Sequence, residues 1–229
     1  ARAAAAALAP PAALQKRRKW PRGCGATAEP CLRAFQAIRE KFLAQHRDAI
    51  FASLRQVFSG PMELKPAPLS LPVQTRFAEA CAVSEVALSP VLHGTEARNH
   101  APIFEKGLLV PGGDSKVGIR NGNSHGQGIY TSELGAPWLS RGFCTEPRLL
   151  VCGVLDDART LAQRRLLGRH WVTAESSTVR HVGNAVVVFN ASHVAPLFEA
   201  LGHQFQGAAA APVVAPVRLA AAPAQQPAV

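Results

Sequence analysis

The stretch from residue 92 to residue 132 constrains the fold of this chain more than any other. It begins with Leu-His-Gly-Thr at 92–95 and reaches Gly-x-Gly-Ile-Tyr at 126–130, and a strand-like apolar segment accompanies each motif. Glycine has no side chain, so a flat ligand can approach its backbone closely. An imidazole (His93) and a phenol (Tyr130) on neighbouring strands, with bare backbone beside them, therefore suit a planar amide or a ribose.

Between the two motifs the pattern predicts a helix and then a long loop. The helix covers residues 96–106 and ends at Gly107, but Pro102 would break its middle unless the helix begins near that residue. The loop covers residues 112–127, and a loop of this length in a compact domain usually has a function or is mobile. His125, near its end, could contact phosphates, although solvent exposure is the favoured interpretation.

The rest of the chain is predicted from its apolar periodicity and its proline and glycine positions. The predicted elements are a helix over 31–58, a proline-rich linker over 61–73, a short helix over 75–83, a strand over 86–92, a short helix over 136–144, buried strands over 149–155 and 185–189, a polar and basic surface excursion over 156–180, and a last apolar element over 194–201. Strands outnumber helices and long loops join them, so the predicted fold class is α+β.

The charge of the chain is concentrated at its N-terminal end. The net charge is +10, and residues 1–33 carry seven basic side chains against one acid, hence +6. This Ala- and Pro-rich arm, residues 1–30, is predicted to be a disordered basic arm that could contact nucleic acid weakly. The tail over 205–229, again rich in Ala and Pro, is predicted to be disordered as well.

The five cysteines form no Cys-x-x-Cys pair and are odd in number, so neither a zinc site nor a disulfide framework is predicted. This pattern favours a reducing compartment, nuclear or cytoplasmic. No apolar run is long enough for a membrane span, so no membrane association is predicted. An alanine-rich, arginine-bearing start is also compatible with part of an organelle transit peptide.

The ordered set of motifs resembles the catalytic core of the poly(ADP-ribose) polymerase family. The resemblance rests on His-Gly-Thr at 93–95, Ile103 with Gly-Leu at 107–108, and Gly-x-Gly-Ile-Tyr at 126–130, and it covers about half of the chain, from Val86 to about Phe198. It implies the ADP-ribosyltransferase fold, two small antiparallel sheets packed face to face with flanking helices and with NAD+ in the cleft between them. The corresponding domain is predicted over residues 86–204, after a helical extension and linker over 31–85.

The resemblance also implies roles for particular residues, without a metal. In the family, the histidine matching His93 bonds a ribose hydroxyl, the glycine matching Gly94 pairs its backbone with the nicotinamide carboxamide, and the tyrosine matching Tyr130 stacks on the nicotinamide ring. Six residues are thereby predicted to bind NAD+, of which the first and the fourth also serve catalysis: His93, Gly94, Thr95, Tyr130, Ser140 and Phe143. Replacing Gly94 with Trp is then expected to fill the pocket without unfolding the domain.

The third motif residue of the family, often a glutamate, has no counterpart here. Aligning Phe189-Asn190 on the end of its strand puts Ala185 at the glutamate position, and a slip of one residue still offers no carboxylate. That glutamate activates the acceptor hydroxyl in chain growth, so no polymer synthesis is expected. Glu175, in the predicted loop before this strand, is a possible substitute carboxylate.

Three functions remain open from the sequence. The favoured one is an NAD-dependent mono-ADP-ribosyltransferase, a glycosyltransferase that modifies a protein or nucleic-acid acceptor. The second is a catalytically inactive module that binds NAD or ADP-ribose on the same fold. The third is a transfer-RNA 2′-phosphotransferase, whose family shares a similar His-Gly-Thr turn, but no second histidine motif or arginine set matches it here.

Overall fold

The computed structural model describes residues 29–112, 124–161 and 164–207, with the side chains of residues 160 and 161 excluded. Four helices and nine strands form this part of the chain. The helices are α1 (Glu29–Leu54), α2 (Leu71–Val83), α3 (His100–Lys106) and α4 (Pro137–Arg141). The strands are β1 (Phe58–Pro66), β2 (Leu88–His93), β3 (Ile129–Glu133), β4 (Arg148–Leu155), β5 (Arg165–Leu167), β6 (His170–Glu175), β7 (Val179–Val182), β8 (Ala185–Val188) and β9 (Val194–Phe205). The predicted α+β class is confirmed.

The strands form one antiparallel sheet in the order β1-β9-β4-β2-β3-β8-β7-β6-β5. Two separate sheets were expected, and the structure instead joins two halves into one ladder. The joint is narrow, because β2 pairs with β3 through only Val91 opposite Glu133 and Leu92 opposite Ser132. On its other side β2 pairs with β4 along its whole length, from Leu88 to His93.

One hydrophobic cluster extends across the joint between the two halves of the sheet. Each half contributes buried side chains to this cluster. Those of the first half are Val91, Leu150, Cys152, Val154 and Val194, and those of the second half are Ile129, Ala174, Val179, Val186 and Val188. Strand alternation sends every second side chain to the same face, so this cluster covers one face of the ladder on both sides of the joint.

The opposite face of the first half is covered by α1 and α2. The buried side chains Cys31, Phe35, Arg39 and Phe42 recur every three or four residues along α1, as expected of a helix with one buried stripe. Phe42 stacks on Phe198 of β9 with ring centroids 6.5 Å apart, and Phe35 meets Phe77 of α2 edge-on at 6.3 Å. The predicted helix over 31–58 is therefore confirmed but ends earlier, at Leu54.

The proline-rich linker predicted over 61–73 is wrong at both ends, because β1 extends to Pro66 and α2 begins at Leu71, which leaves residues 67–70 as the connection. Residues 58–66 form β1, which pairs antiparallel with β9 at the edge of the sheet. The register shifts beside Gly60, with φ of +75°, and Pro61. An edge strand tolerates proline because one side of its backbone has no ladder partner.

The surface excursion predicted over 156–180 is also wrong, since this segment contains β5 and β6 and the start of β7. Val172, Ala174 and Val179 are buried, and Ala174 and Val179 belong to the cluster shared by the two halves of the sheet. The strands in this segment are short, and arginines lie among their apolar residues. The alternation of apolar and polar residues is therefore too brief to be recognised in the sequence.

The predicted helix after the first motif is confirmed in its shortened form. A single 3₁₀ turn covers Ala97–Asn99, and α3 then begins at His100. Pro102 therefore lies in the first helical turn, where its missing N–H breaks no helical hydrogen bond. Gly107 ends the helix with a φ of +83°, a conformation that favours glycine.

Candidate functional site

His93 is the last residue of β2 and is tied to the second motif. Its Nδ1 lies 2.8 Å from the backbone carbonyl oxygen of Tyr130. Because a carbonyl only accepts, Nδ1 carries the proton and Nε2 presents a lone pair. Burial lowers the pKa of His93, the hydrogen bond to Tyr130 opposes that change, and the nearby His100 lowers the pKa further. The ring is therefore neutral at pH 7, with Nε2 available to accept a hydrogen bond.

Gly94 packs directly against α4. A Cβ atom at this position would lie 1.6 Å from the carbonyl oxygen of Ser140, a distance that no side chain tolerates. The same carbonyl accepts from the backbone N–H of Phe143 at 3.1 Å, so the second half of the predicted site adjoins the first. The glycine is required by the fold itself, and the expectation that Gly94→Trp leaves the fold intact is wrong.

Tyr130 lies in β3 and is partly buried. Its hydroxyl accepts from the backbone N–H of His125 at 3.0 Å and donates to the carbonyl of Gly126 at 3.0 Å. Burial raises the pKa of Tyr130, while the hydrogen bond from His125 and the charge of Arg180 lower it, with a net increase. The phenol is therefore protonated at pH 7 and held by the end of the preceding loop.

Ser140 lies in α4 and is buried. Its hydroxyl is 2.7 Å from the carbonyl of Leu92 and 2.8 Å from the hydroxyl of Ser132. The carbonyl must accept, so Ser140 donates to Leu92 and accepts from Ser132. The predicted role of Ser140 as a carboxamide ligand therefore competes with hydrogen bonds that hold α4 on the sheet.

The other two predicted ligands differ in exposure. Phe143 follows α4 and is 47% exposed, which leaves its ring open to a flat partner. Thr95 accepts a hydrogen bond from the side chain of Asn99 at 2.9 Å, and so supports the turn before α3. The structure therefore brings His93 against the backbone of Tyr130 and Gly94 against Ser140, whereas Thr95 and Phe143 make no side-chain contact with these residues among the hydrogen bonds described.

Ala185, at the position of the absent glutamate, lies across from Ser132 in the β3–β8 pair, while Tyr130 lies across from Val187. Paired residues project to one face, and alternate residues share it, so Ala185 lies on the face of Tyr130. Glu133 belongs to the other face by the same alternation. His93, two residues after Val91, lies on the face of Glu133 as well, so its hydrogen bond reaches the backbone of Tyr130 and not the phenol. The Glu133 carboxylate is engaged by His181.

Glu175 does not lie in a loop as predicted but is the last residue of β6. Its carboxylate pairs with Arg180 at 2.5 Å and with Arg165 at 3.2 Å. Both oxygens are engaged, so the suggested role as a substitute for the missing glutamate is not supported by its hydrogen bonds. Its partner Arg180 was not predicted from the sequence, because an arginine in a basic segment gives no local signal.

Two buried ionic groups flank this region. Glu199 of β9 accepts from His100 and from Arg148, each at 2.8 Å. It lies opposite Leu150 of β4, which in turn lies opposite His93 of β2. In the other half, His181 bridges two carboxylates.

That second group consists of His181, Asp156, Glu133 and Arg159. The ring of His181 lies 2.9 Å from Asp156 and 3.3 Å from Glu133, and Arg159 pairs with Asp156 at 2.9 Å. It ties the end of β4 to β3 and β7.

Comparisons with known proteins do not assign this chain. No protein-family model matches it, and no curated protein matches it. Within residues 29–112, 124–161 and 164–207, no helix is long and apolar enough to cross a membrane. The same residues contain no group of three or more His, Cys, Asp or Glu side chains arranged to hold a metal ion.

Proposed function

We propose that this chain is an NAD-dependent ADP-ribosyltransferase of the poly(ADP-ribose) polymerase class, built on the ADP-ribosyltransferase fold, and that it transfers single ADP-ribose units. One observation carries the proposal. His93 and Tyr130, the leading residues of the two motifs, are 37 positions apart, and a 2.8 Å hydrogen bond joins Nδ1 of His93 to the backbone carbonyl of Tyr130. Next to His93 in the chain, Gly94 packs on the Ser140 carbonyl of α4, and the backbone N–H of Phe143, which follows α4, donates to the same carbonyl.

In this proposal each group binds one part of NAD+. The free Nε2 of His93 accepts from a ribose hydroxyl, because Nδ1 is already a donor to Tyr130. The ring of Tyr130 and the exposed ring of Phe143 stack on the nicotinamide, as aromatic rings do with offset faces. The backbone at Gly94 pairs with the carboxamide. Neutral His93 and protonated Tyr130 leave this part of the site uncharged, which suits a ribose and an amide.

The reaction is a substitution at the ribose carbon that bears nicotinamide. The bond from that carbon to the nicotinamide nitrogen breaks, and its electron pair leaves with nicotinamide, which becomes neutral. A lone pair of the acceptor forms the new bond, and the acceptor's proton passes to solvent. Positive charge develops on the ribose meanwhile, so holding the donor and the acceptor in line is the main contribution expected of the protein.

Ala185 decides between polymer growth and single transfer. A glutamate there would polarise the incoming hydroxyl, and removal of a well-placed charge-stabilising group costs about a hundred- to a thousand-fold in rate. Alanine cannot do this, and the carboxylate of the nearby Glu133 is engaged by His181. The same observation favours a second candidate function, an inactive module that binds NAD or ADP-ribose.

The experiment that separates these functions is incubation with radiolabelled NAD+ and a protein acceptor mixture, followed by gel analysis. A discrete labelled adduct supports transfer of single units, and a polymer ladder contradicts it. Binding of NAD+ without an adduct identifies the module. The matched control is His93→Gln, which is expected to lose labelling while the unfolding midpoint stays within a few degrees. Equal labelling by that variant would refute the assigned donor site.

A further inference from the structure

The end of the loop before Tyr130 is fastened by an arginine from another strand. Arg180 of β7 donates from Nη1 to the backbone carbonyl of His125 at 2.7 Å. Its other two nitrogens donate to one oxygen of Glu175, Nε at 2.9 Å and Nη2 at 2.5 Å. Both side chains are 19% exposed. Glu175 and Arg180 together are called the β6–β7 clasp below.

The loop end packs closely on the same strands. Gly126 has a φ of +103°, and a Cβ atom there would lie 3.1 Å from the ring of Phe189 and 3.6 Å from Nη1 of Arg180. At Gly128 a Cβ atom would lie 2.5 Å from the side chain of Val187. The guanidinium of Arg180 also lies over the Phe189 ring at 5.1 Å. Gly126 is therefore favoured by its positive φ and by the closeness of the Phe189 ring, and Gly128 is required by contact with Val187 of β8.

The same loop end controls the phenol of Tyr130. The backbone carbonyl of His125 accepts from Arg180, and the backbone N–H of His125 donates to the Tyr130 hydroxyl. That hydroxyl donates to the carbonyl of Gly126. Arg180 lies opposite Val187, and Val187 lies opposite Tyr130, so all three share one face of the sheet. One residue of the loop thus connects the guanidinium to the phenol.

We propose that the β6–β7 clasp is a positioning device: Arg180, oriented by Glu175, holds His125 and thereby fixes the hydroxyl and the ring plane of Tyr130. Arginine suits this task because its planar fork donates in three directions at once, whereas lysine offers a single charged point. The role of the ring in stacking on nicotinamide rests on the proposed function. The anchoring of the phenol does not, because it concerns only contacts within the chain.

Tyr130 is the only tyrosine of the chain, which makes the test direct. The full chain is labelled with ¹³C at the tyrosine ζ carbon, which bears the hydroxyl, so that a single resonance reports its hydrogen bonding. Arg180→Gln is compared with Arg165→Gln, which removes a cation from the same Glu175 carboxylate without touching His125. We expect Arg180→Gln to shift the resonance and Arg165→Gln to leave it unchanged. An unchanged resonance in Arg180→Gln would overturn the proposal.

Binding of benzamide, a nicotinamide mimic, gives the second readout. Loss of ring orientation is expected to weaken benzamide about two- to tenfold in Arg180→Gln, the range that an aromatic stacking contact contributes, and not in Arg165→Gln. If Arg180→Gln does not fold, Glu175→Gln and Arg180→Lys replace it with the same two readouts. If the unaltered chain binds no benzamide, the proposed function fails, and the tyrosine resonance alone decides the clasp.

Discussion

Replacing His181 with glutamine should destabilise the protein strongly, with a dependence on pH that identifies the cause. The imidazole is 4% exposed and joins Asp156, whose side chain is 1% exposed, to Glu133, which is 35% exposed. Burial by itself would lower the pKa of His181, but its hydrogen bonds to Asp156 and Glu133 outweigh this and raise the pKa to about 9. The folded protein thus holds a charged imidazolium between two carboxylates.

The magnitude follows from this pKa. A change from 6.5 to about 9 corresponds to about 3 kcal/mol in favour of the charged ring in the folded state. Removing one partner of a buried ion pair costs about 3–5 kcal/mol by direct comparison, because the remaining charge stays buried and unpaired. Arg159 still pairs with Asp156 in the variant, which moderates the loss. We therefore expect His181→Gln to lower the free energy of unfolding by about 3 kcal/mol at pH 6.

The pH dependence has a defined direction. Because the folded-state pKa of His181 is raised, its contribution is complete below pH 6.5 and is lost as the pH rises through about 9. The hydrogen bond to His181 lowers the pKa of Glu133. Burial by itself would raise the pKa of Asp156, but the hydrogen bonds and charges of His181 and Arg159 outweigh it and lower that pKa. The stability that these two carboxylates contribute is present above the pKa of a carboxyl group in the unfolded chain, and it is lost as the pH falls through their lower folded-state pKa values. The difference between the two proteins should therefore be largest from about pH 5 to 6.5 and shrink towards pH 9.

Urea unfolding followed by tryptophan fluorescence at pH 5.5, 7, 8.5 and 9.5 measures this difference. The matched control is His203→Gln, an exposed histidine on β9, which should change the free energy of unfolding by less than about 0.5 kcal/mol. A loss in His181→Gln that is equally large at pH 5.5 and pH 9.5 would refute the electrostatic explanation and leave only lost packing. A loss below 0.5 kcal/mol at pH 5.5 would refute the network itself.

Three further predictions concern the site and the extent of the folded unit. Gly94→Ala should lower the free energy of unfolding by about 3 kcal/mol or more in urea unfolding, because the new Cβ would lie 1.6 Å from a backbone carbonyl of α4, and a loss under 1 kcal/mol would contradict that packing. Ser140→Ala should cost about 1–3 kcal/mol in the same assay, because the Leu92 carbonyl and the Ser132 hydroxyl lose their partner, and an unchanged stability would show that water replaces it. A fragment of residues 29–207 should show the far-UV circular dichroism of a folded α+β domain, because it contains every strand and helix among the residues that the structure describes. A molten fragment would show that the two ends of the chain contribute to the stability of the fold.

Much of the fold was predictable from local patterns. The continuous apolar runs at 149–155 and 185–189 predict buried strands, and both are confirmed as β4 and β8. The stop at Gly107 and the shift of the helix towards Pro102 are confirmed because both residues restrict the backbone locally. The order of motifs also placed His93 and Tyr130 on adjacent strands. The apolar runs and the helix ends depend on residues close together in the chain, so the sequence alone determines them, whereas the adjacency of the two motifs was predicted only from their order.

The tertiary structure decided everything that depends on partners distant in the chain. Residues 61–66 belong to the predicted linker, but they form part of β1 because they pair with β9, some 130 residues later in the chain. Ser140 was predicted to bind the carboxamide of NAD+, but its hydroxyl donates to the Leu92 carbonyl because α4 packs against Gly94. Arg180 has no motif around it, and it acquires a role only where the loop end at His125 comes within 2.7 Å. Such contacts are set by strand register and packing, which no local pattern encodes.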